Sequence, residues 1–496
     1  MNKVRRQDDH RARKPSWVAL FMAVMIPGLA MAAGEAGAGG EQLGHVLPLW
    51  SMIPFVGILL SIAVMPLLAP QIWHHHFGKI AAGWAALFAL PFLFAFRGEA
   101  FHEIVHIVLI DYVPFIIVLW GLFTIGGGIV LKGRLVGTPV VNTLLLLIGT
   151  LLASWVGTTG AAMLLIRPII RANAWRTSKQ HIIIFFIFLV ANIGGSLTPL
   201  GDPPLLLGFI HGVPFFWTLG LFPMMGFVAV ILLAVFYALD SYLMKRNGDT
   251  PPGVAGDDPI RLEGMHNFLF LGGVLGLVLM SGTVELAETV ILGVHIPWQD
   301  HIRNGGIVVM LWLSMKTTSH ELRKSNGFTW EPILEVAYLF AGIFITIIPA
   351  LAILRAGSEG ALGAMIDGVV EPWHYFWVTG TLSSFLDNAP TYLTFFNTAL
   401  GKLHLTEGEV SQFLAGGDFS GELLVRLQTF EGLLVAISVG AVFMGAMTYI
   451  GNAPNFMVRA IAEENKVPMP SFFGFMLWSG VILIPVFILV TFVFLR

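Results

Sequence analysis

The chain has 496 residues, 56% of them hydrophobic and 11% charged, with a mean hydropathy of +0.81. Soluble domains carry about 25% charged residues, so this composition excludes a soluble globular protein and indicates an integral membrane one. Cysteine is absent, which excludes a disulfide framework and a thiolate metal site, while the net charge of −3 decides nothing because in a membrane protein position matters.

Residues 1–14 hold six Lys or Arg, followed by an apolar run from Trp17 to Ala33 that ends in small residues. Residues 1–40 therefore read as a signal peptide or as an uncleaved first transmembrane helix, and either places the N-terminus inside. Long apolar segments follow at 46–69, 80–96, 110–131, 138–172, 181–210, 214–244, 265–283, 304–316, 330–354, 373–399, 429–458 and 471–495. A full helical crossing needs about 20 residues. Segment 138–172 is too long for one crossing and is interrupted by Gly157-Thr158-Thr159-Gly160, so it is predicted to be a re-entrant hairpin with a polar tip. Segment 373–399 reads the same way around Asp387.

With both hairpins re-entrant, 21 of the 27 Lys and Arg residues fall on the cytoplasmic side, as the positive-inside rule requires. Making either hairpin a full crossing would invert everything after it and weaken that asymmetry. The polar stretch from Asp240 to Gly264 reads as a linker, which divides the chain into a first repeat at 44–244, a linker at 245–264 and a second repeat at 265–496.

The two halves share short blocks in the same order. Ser154-Trp-Val-Gly-Thr158 aligns with Ser384-Phe-Leu-Asp387-Asn388, and Gly195-Ser-Leu-Thr198-Pro-Leu-Gly201-Asp202 with Gly445-Ala-Met-Thr448-Tyr-Ile-Gly451-Asn452, while Gly121-Leu-Phe123 upstream aligns with Gly342-Ile-Phe344. The first half starts outside and the second inside, so the expected fold is an all-α polytopic membrane protein. It has two inverted-topology repeats, each with a re-entrant hairpin and a broken transmembrane helix, the architecture of secondary transporters.

At a break inside a membrane, freed carbonyls and side-chain oxygens replace the water shell of a small hard cation, and half-helix N-termini favour negative charge. The candidate cation or substrate ligands are Ser154, Thr158, Thr159, Thr198 and Asp202 in the first half. In the second they are Ser384, Asp387, Asn388, Thr391, Thr448 and Asn452. Asp202 and Asp387 are the candidate Na+ carboxylates, because an intramembrane acid is a functional-site hypothesis by default. Asn388, Asn452, Thr198 and Thr448 read either as ligands or as partners for backbone groups freed by the breaks. Asp111 is expected at the membrane–water boundary, and Glu335 is a candidate for a proton path.

The motifs TPLGDPP at 198–204 and SSFLDNAPT at 383–391, with TIGGG at 124–128, resemble the ion transporter superfamily. Its members include NhaD-type sodium/proton antiporters, citrate and dicarboxylate symporters and arsenite permeases. The similarity extends from about residue 44 to the end, and it implies cation sites at the hairpin tips and unwound crossings and a homodimer; no organic cofactor is expected, with Na+ and H+ as the transported or coupling ions. The Ser-Asn-Thr signature of the dicarboxylate branch is replaced here by Gly157-Thr158-Thr159 and Asp387-Asn388-Ala389.

These features together predict a sodium/proton antiporter in which Na+ and H+ compete for carboxylates in broken helices. The alternative is a sodium- or proton-coupled citrate or dicarboxylate symporter in which sodium first neutralises the acids. The expected setting is a bacterial-type inner membrane with an external C-terminus, and the expected partners are lipid, small ions and a small organic anion, with no nucleic acid. A rival reading from another class is a membrane zinc metalloprotease, from His102-Glu103-Ile-Val-His106, which on a helix turns two imidazoles to one face. His74-His75-His76 reads as an interfacial cluster.

Overall fold

The computed structural model describes residues 43–252, 259–357, 361–363 and 368–496; the expected signal peptide or first helix lies outside them. Among the described residues, eight helices are long and apolar enough to cross a membrane. They are α1 (Leu49–Leu68), α2 (Pro70–Phe96), α3 (Gly98–Gly126), α4 (Pro139–Val156), the run Gln180–Leu197 that starts with α6 (Gln180–Leu189), the run Phe215–Asn247 that contains α8 (Phe222–Asn247), the run Gly421–Met447 that starts with α17 (Gly421–Met444), and α19 (Phe472–Phe494). The bent pair α12 (Glu331–Thr346) and α13 (Ile348–Arg355), which meet at 44°, is together long and apolar enough for a broken span or a re-entrant loop. The chain is an all-α polytopic membrane protein.

Further helices include the arms of the hairpins and the helices that follow the breaks. They are α5 (Thr158–Ala172), α7 (Pro203–Ile210), α9 (Asn267–Ser281), α10 (Trp298–Thr317), α11 (His320–Ser325), α14 (Pro372–Phe385), α15 (Asn388–Leu403), α16 (Glu407–Leu414) and α18 (Ala453–Glu464). The strands among the described residues form two short antiparallel pairs, β1 (Val130–Lys132) with β2 (Arg261–Glu263) and β3 (Glu288–Ile291) with β4 (Val294–Pro297).

Both predicted hairpins are broken helix pairs. Gly157, at φ 81°, separates α4 from α5, because only glycine takes that backbone without strain. In the second half Leu386 and Asp387 turn the chain with ordinary extended angles. Both predicted crossings with breaks are also interrupted, at residues 198–202 and 448–452, where Pro203 or Pro454 opens the next helix in a position that needs no N–H.

Several expectations need correction. The α1–α2 connection is a single residue, Ala69, after which Pro70 restarts the helix, so α2 begins ten residues before the expected 80. His102-Glu103-Ile-Val-His106 lies in the first turns of α3, just before its π turn at Ile107–Tyr112. Asp240 does not open the linker: it is fully buried within α8, which continues to Asn247. Beyond that helix, residues 261–263 pair with β1.

The packing crosses between halves. α7, from the first break, packs on α15 of the second hairpin, while α18, from the second break, packs on α5 of the first. Each half therefore lays its interrupted crossing on the other half's hairpin, which brings four broken ends together in the buried interior. α1, α2 and α12 pack together on one side of the molecule, and α3, α9 and α10 form a neighbouring group.

Candidate functional site

The four broken ends are all helix N-termini: α5 starts at Thr158, α15 at Asn388, α7 behind Asp202 and α18 behind Asn452. Helix N-termini present unsatisfied N–H groups and the positive end of the peptide dipoles, so this point favours negative charge. The resident negative charge is Asp202, 2% exposed. Its Oδ1 accepts from Thr158 Oγ1 at 3.0 Å and from Asn452 Nδ2 at 2.9 Å, and its Oδ2 accepts from Asn388 Nδ2 at 2.6 Å. Every partner the structure gives this side chain is a neutral hydroxyl or amide, so the charge is solvated but not cancelled.

The arrangement repeats its own logic. Thr158 and Asn388 occupy equivalent hairpin positions, Asp202 and Asn452 equivalent break positions, and all four meet around one carboxylate. Candidate ligands from both halves thus meet at Asp202, while Asp387 stays apart as the cap of α15.

Ser154, Thr198, Ser384 and Thr448 hold the breaks against the hairpins. Thr198 Oγ1 donates to Ser154 O, and Thr448 Oγ1 donates to Ser384 O in the equivalent bond of the second half. Ser154 Oγ donates to Gly194 O at 2.5 Å and accepts from Leu197 N at 2.9 Å; Ser384 Oγ donates to Gly380 O at 2.8 Å and to Met444 O at 3.1 Å. These hydroxyls are engaged with backbone, the job Ser and Thr perform beside breaks in membrane helices.

Asp387 is half-buried and caps α15, its Oδ1 accepting from Ala389 N at 3.1 Å. It lies outside the hydrogen bonds around Asp202. Thr391 Oγ1 donates to Asp387 O at 2.9 Å, and Thr159 is half-buried at the first tip. Asn388 Oδ1 is buried and accepts no hydrogen bond. A buried acceptor without a donor is costly unless something electropositive occupies its lone pairs, so Asn388 Oδ1 is chemically suited to a small cation.

Asn192 and Asn455 were not anticipated. Asn192 Nδ2 donates to Asn455 Oδ1 at 2.7 Å, and Asn452 Nδ2 reaches Asn192 Oδ1 at 3.2 Å, which adds a second bridge between the halves behind Asp202. A fully buried amide inside an otherwise apolar run was the available signal. Asp111 is 4% exposed and faces His211, contrary to its expected place at water, while Glu335 accepts from Trp73 Nε1 at 3.3 Å. His102 and His106 share a helix face with ring centroids 6.2 Å apart, and no group of three His, Cys, Asp or Glu suited to a metal occurs among the described residues.

A family model described as "Putative citrate transport" matches residues 44–495. No curated protein matches the chain.

Proposed function

The chain belongs to this citrate-transport family, and we propose that it is a cation-coupled secondary transporter of a citrate-class carboxylate anion, with Asp202 at the coupling-ion site. The observation that carries the reading is the meeting of four helix N-termini on one buried, uncompensated carboxylate. With Asp202 charged and the site otherwise empty, an incoming polycarboxylate meets a like charge. Sodium held by Asp202 and Asn388 Oδ1, with a second cation charge where Asp387 is also ionised, neutralises the site and leaves the N-terminal dipoles to attract the anion. Cation first, anion second is then a consequence of electrostatics, and coupling follows from it.

A sodium/proton exchange cycle is the second reading, favoured by the absence of any cationic side chain among the partners of Asp202. The deciding experiment is uptake of radiolabelled citrate into proteoliposomes under an imposed sodium gradient, a proton gradient or neither. The anion reading expects gradient-dependent uptake; sodium-driven proton flux of full size without any organic anion overturns it in favour of exchange. The wider setting belongs to the same proposal: inverted halves, a bacterial-type inner membrane, a cytoplasmic N-terminus and a homodimer.

A further inference from the structure

His211 ends α7, nine positions beyond Asp202, and is 8% exposed. Each of its ring nitrogens faces a different acid. Nδ1 lies 3.1 Å from Glu407 Oε2 on α16, and Nε2 lies 3.2 Å from Asp111 Oδ1 in the π turn of α3. An ionised carboxylate only accepts, whereas a neutral imidazole offers one N–H and one lone pair. A neutral ring would therefore turn its lone pair on one of the two acids, so an acid at each nitrogen favours the doubly protonated ring, hydrogen-bonded to Glu407 through Nδ1 and ion-paired with Asp111 at Nε2 without hydrogen-bond alignment. Whether the second hydrogen is drawn on Nε2 or on Asp111, the triad holds one proton more than a neutral imidazole with two carboxylates.

The surroundings identify which member titrates. Glu407 is about a third exposed (34%), and its Oε1 is held by Arg355 at the end of α13. Burial alone would raise the Glu407 carboxyl, but His211 and then Arg355 hold it well below the usual carboxylate range, with His106 adding in the same sense. Asp111 Oδ1 accepts no hydrogen bond, so the ion pair with His211 is the compensation it has. The groups facing His211 are thus Asp111 from α3 and Glu407 from α16, with Arg355 and His106 behind Glu407, while α15 presents the ring of Phe396.

We propose that His211, with Asp111 and Glu407, is a second proton-binding site distinct from Asp202, and that its proton fastens the far end of α7 to α3 and α16. Loss of that proton leaves a buried carboxylate beside a lone pair, and the contact opens. Because α7 has eight residues, His211 sits about 12 Å along the helix axis from the Asp202 end, so the latch constrains the element that carries the coupling-ion site. That consequence rests on the transporter reading; the proton site itself does not.

The chain contains no cysteine, and Ser411 on α16 is the nearest neighbour of Gly212. Ser411→Cys in the full-length chain therefore reports separation of α16 from the end of α7 through its rate of maleimide labelling between pH 6 and 11. The rate is divided by that of Asp418→Cys, an exposed position beyond α16, to remove thiol ionisation. The expected result is a rise of fivefold or more in this ratio as pH increases. Adding His211→Gln should make the ratio high at every pH, and adding His211→Arg should keep it low. A flat ratio with His211 present, or the same pH step in the His211→Gln background, overturns the proposal. If His211→Gln does not fold, Asp111→Asn serves instead: it should move the midpoint down by about one pH unit, and an unchanged midpoint is the contrary result. Labelling needs no substrate, so a flat ratio alongside intact citrate uptake rejects the proton site alone, and a clear pH step without anion uptake rejects the transporter reading alone.

Discussion

Asn388 Nδ2 donates to Asp202 Oδ2 at 2.6 Å across 186 positions of sequence. The first residue of α15 thereby meets the residue that caps α7, and the tip of one half is tied to the break of the other. The candidate ion site and the join between the halves are one object. Any change of charge on Asp202 consequently alters how the two halves are held.

Asp202→Asn should abolish coupling without preventing assembly. Three donors converge on the carboxylate, and an amide offers one acceptor and one donor group in its place, so at least one contact becomes donor against donor. The substitution also removes the anionic ligand itself, an attraction of about 4 kcal/mol at contact distance near a protein surface, so cation affinity should fall roughly 100-fold or more. Cation-dependent uptake in proteoliposomes should fall accordingly while the variant still elutes as a folded protein. Normal cation dependence in this variant would remove Asp202 from the site.

Asp387→Asn tests charge almost free of structure. The side chain caps α15 through Ala389 N, and Asn caps helices about as well as Asp. Stability should change by less than about 0.5 kcal/mol, within the range of a neutral surface exchange. If Asp387 shares the cation, the sodium concentration giving half-maximal uptake should rise about tenfold; no change would make Asp387 a cap and nothing more.

Gly201 and Gly451 should not tolerate a methyl group. A Cβ on Gly201 would sit 2.2 Å from Gly195 O, and one on Gly451 2.6 Å from Gly445 O, both backbone atoms that cannot swing aside. Gly201→Ala and Gly451→Ala are expected to give little folded protein. Gly83→Ala, in α2 with nothing within 4 Å, should be neutral or stabilising by about 0.5–1 kcal/mol, the usual helical preference for alanine. Fluorescence-detected gel filtration of the three variants separates these outcomes.

Much of this was legible because breakers and oxygens inside apolar runs are rare and physically expensive. Gly157, Pro203, Pro390 and Pro454 marked the interruptions, and the parallel Ser154–Thr198 and Ser384–Thr448 pairs appeared as aligned blocks before they appeared as equivalent hydrogen bonds. What sequence did not reveal is contact across long separations. Nothing local says that Asn388 and Asn452 both turn to Asp202, or that Asp111 and His211 meet. Asp240 was misread for the same reason: beside Lys245, Arg246 and a Pro-Pro pair it has the composition of a linker, and its partners Asn142, Arg176 and His181 lie far upstream.

Asp240 therefore gives a test of stability that should leave transport chemistry untouched. Its carboxylate takes Arg176 Nη1 at 2.6 Å, His181 Nε2 at 2.7 Å and Asn142 Nδ2 at 3.1 Å, with Arg176 and Asp240 side chains both fully buried. The cluster ties α8 to α4, to the start of α6 and to the turn before it, at a place that shares no residue with the Asp202 cluster. Asp240→Ala leaves a guanidinium buried without its counter-charge, a loss of about 3–5 kcal/mol for broken buried pairs. Thermal unfolding of the purified protein should show a large drop in midpoint. Replacing both members, Arg176→Met with Asp240→Leu, removes the stranded charge and should recover part of that loss, because an apolar pair of similar volume is often no less stable than a buried ion pair. The sodium dependence of uptake by whatever protein folds should match the parent. A double variant no better than Asp240→Ala would show that the cluster stabilises the fold through its geometry, with Asn142 and His181 as the essential partners, and not through charge balance.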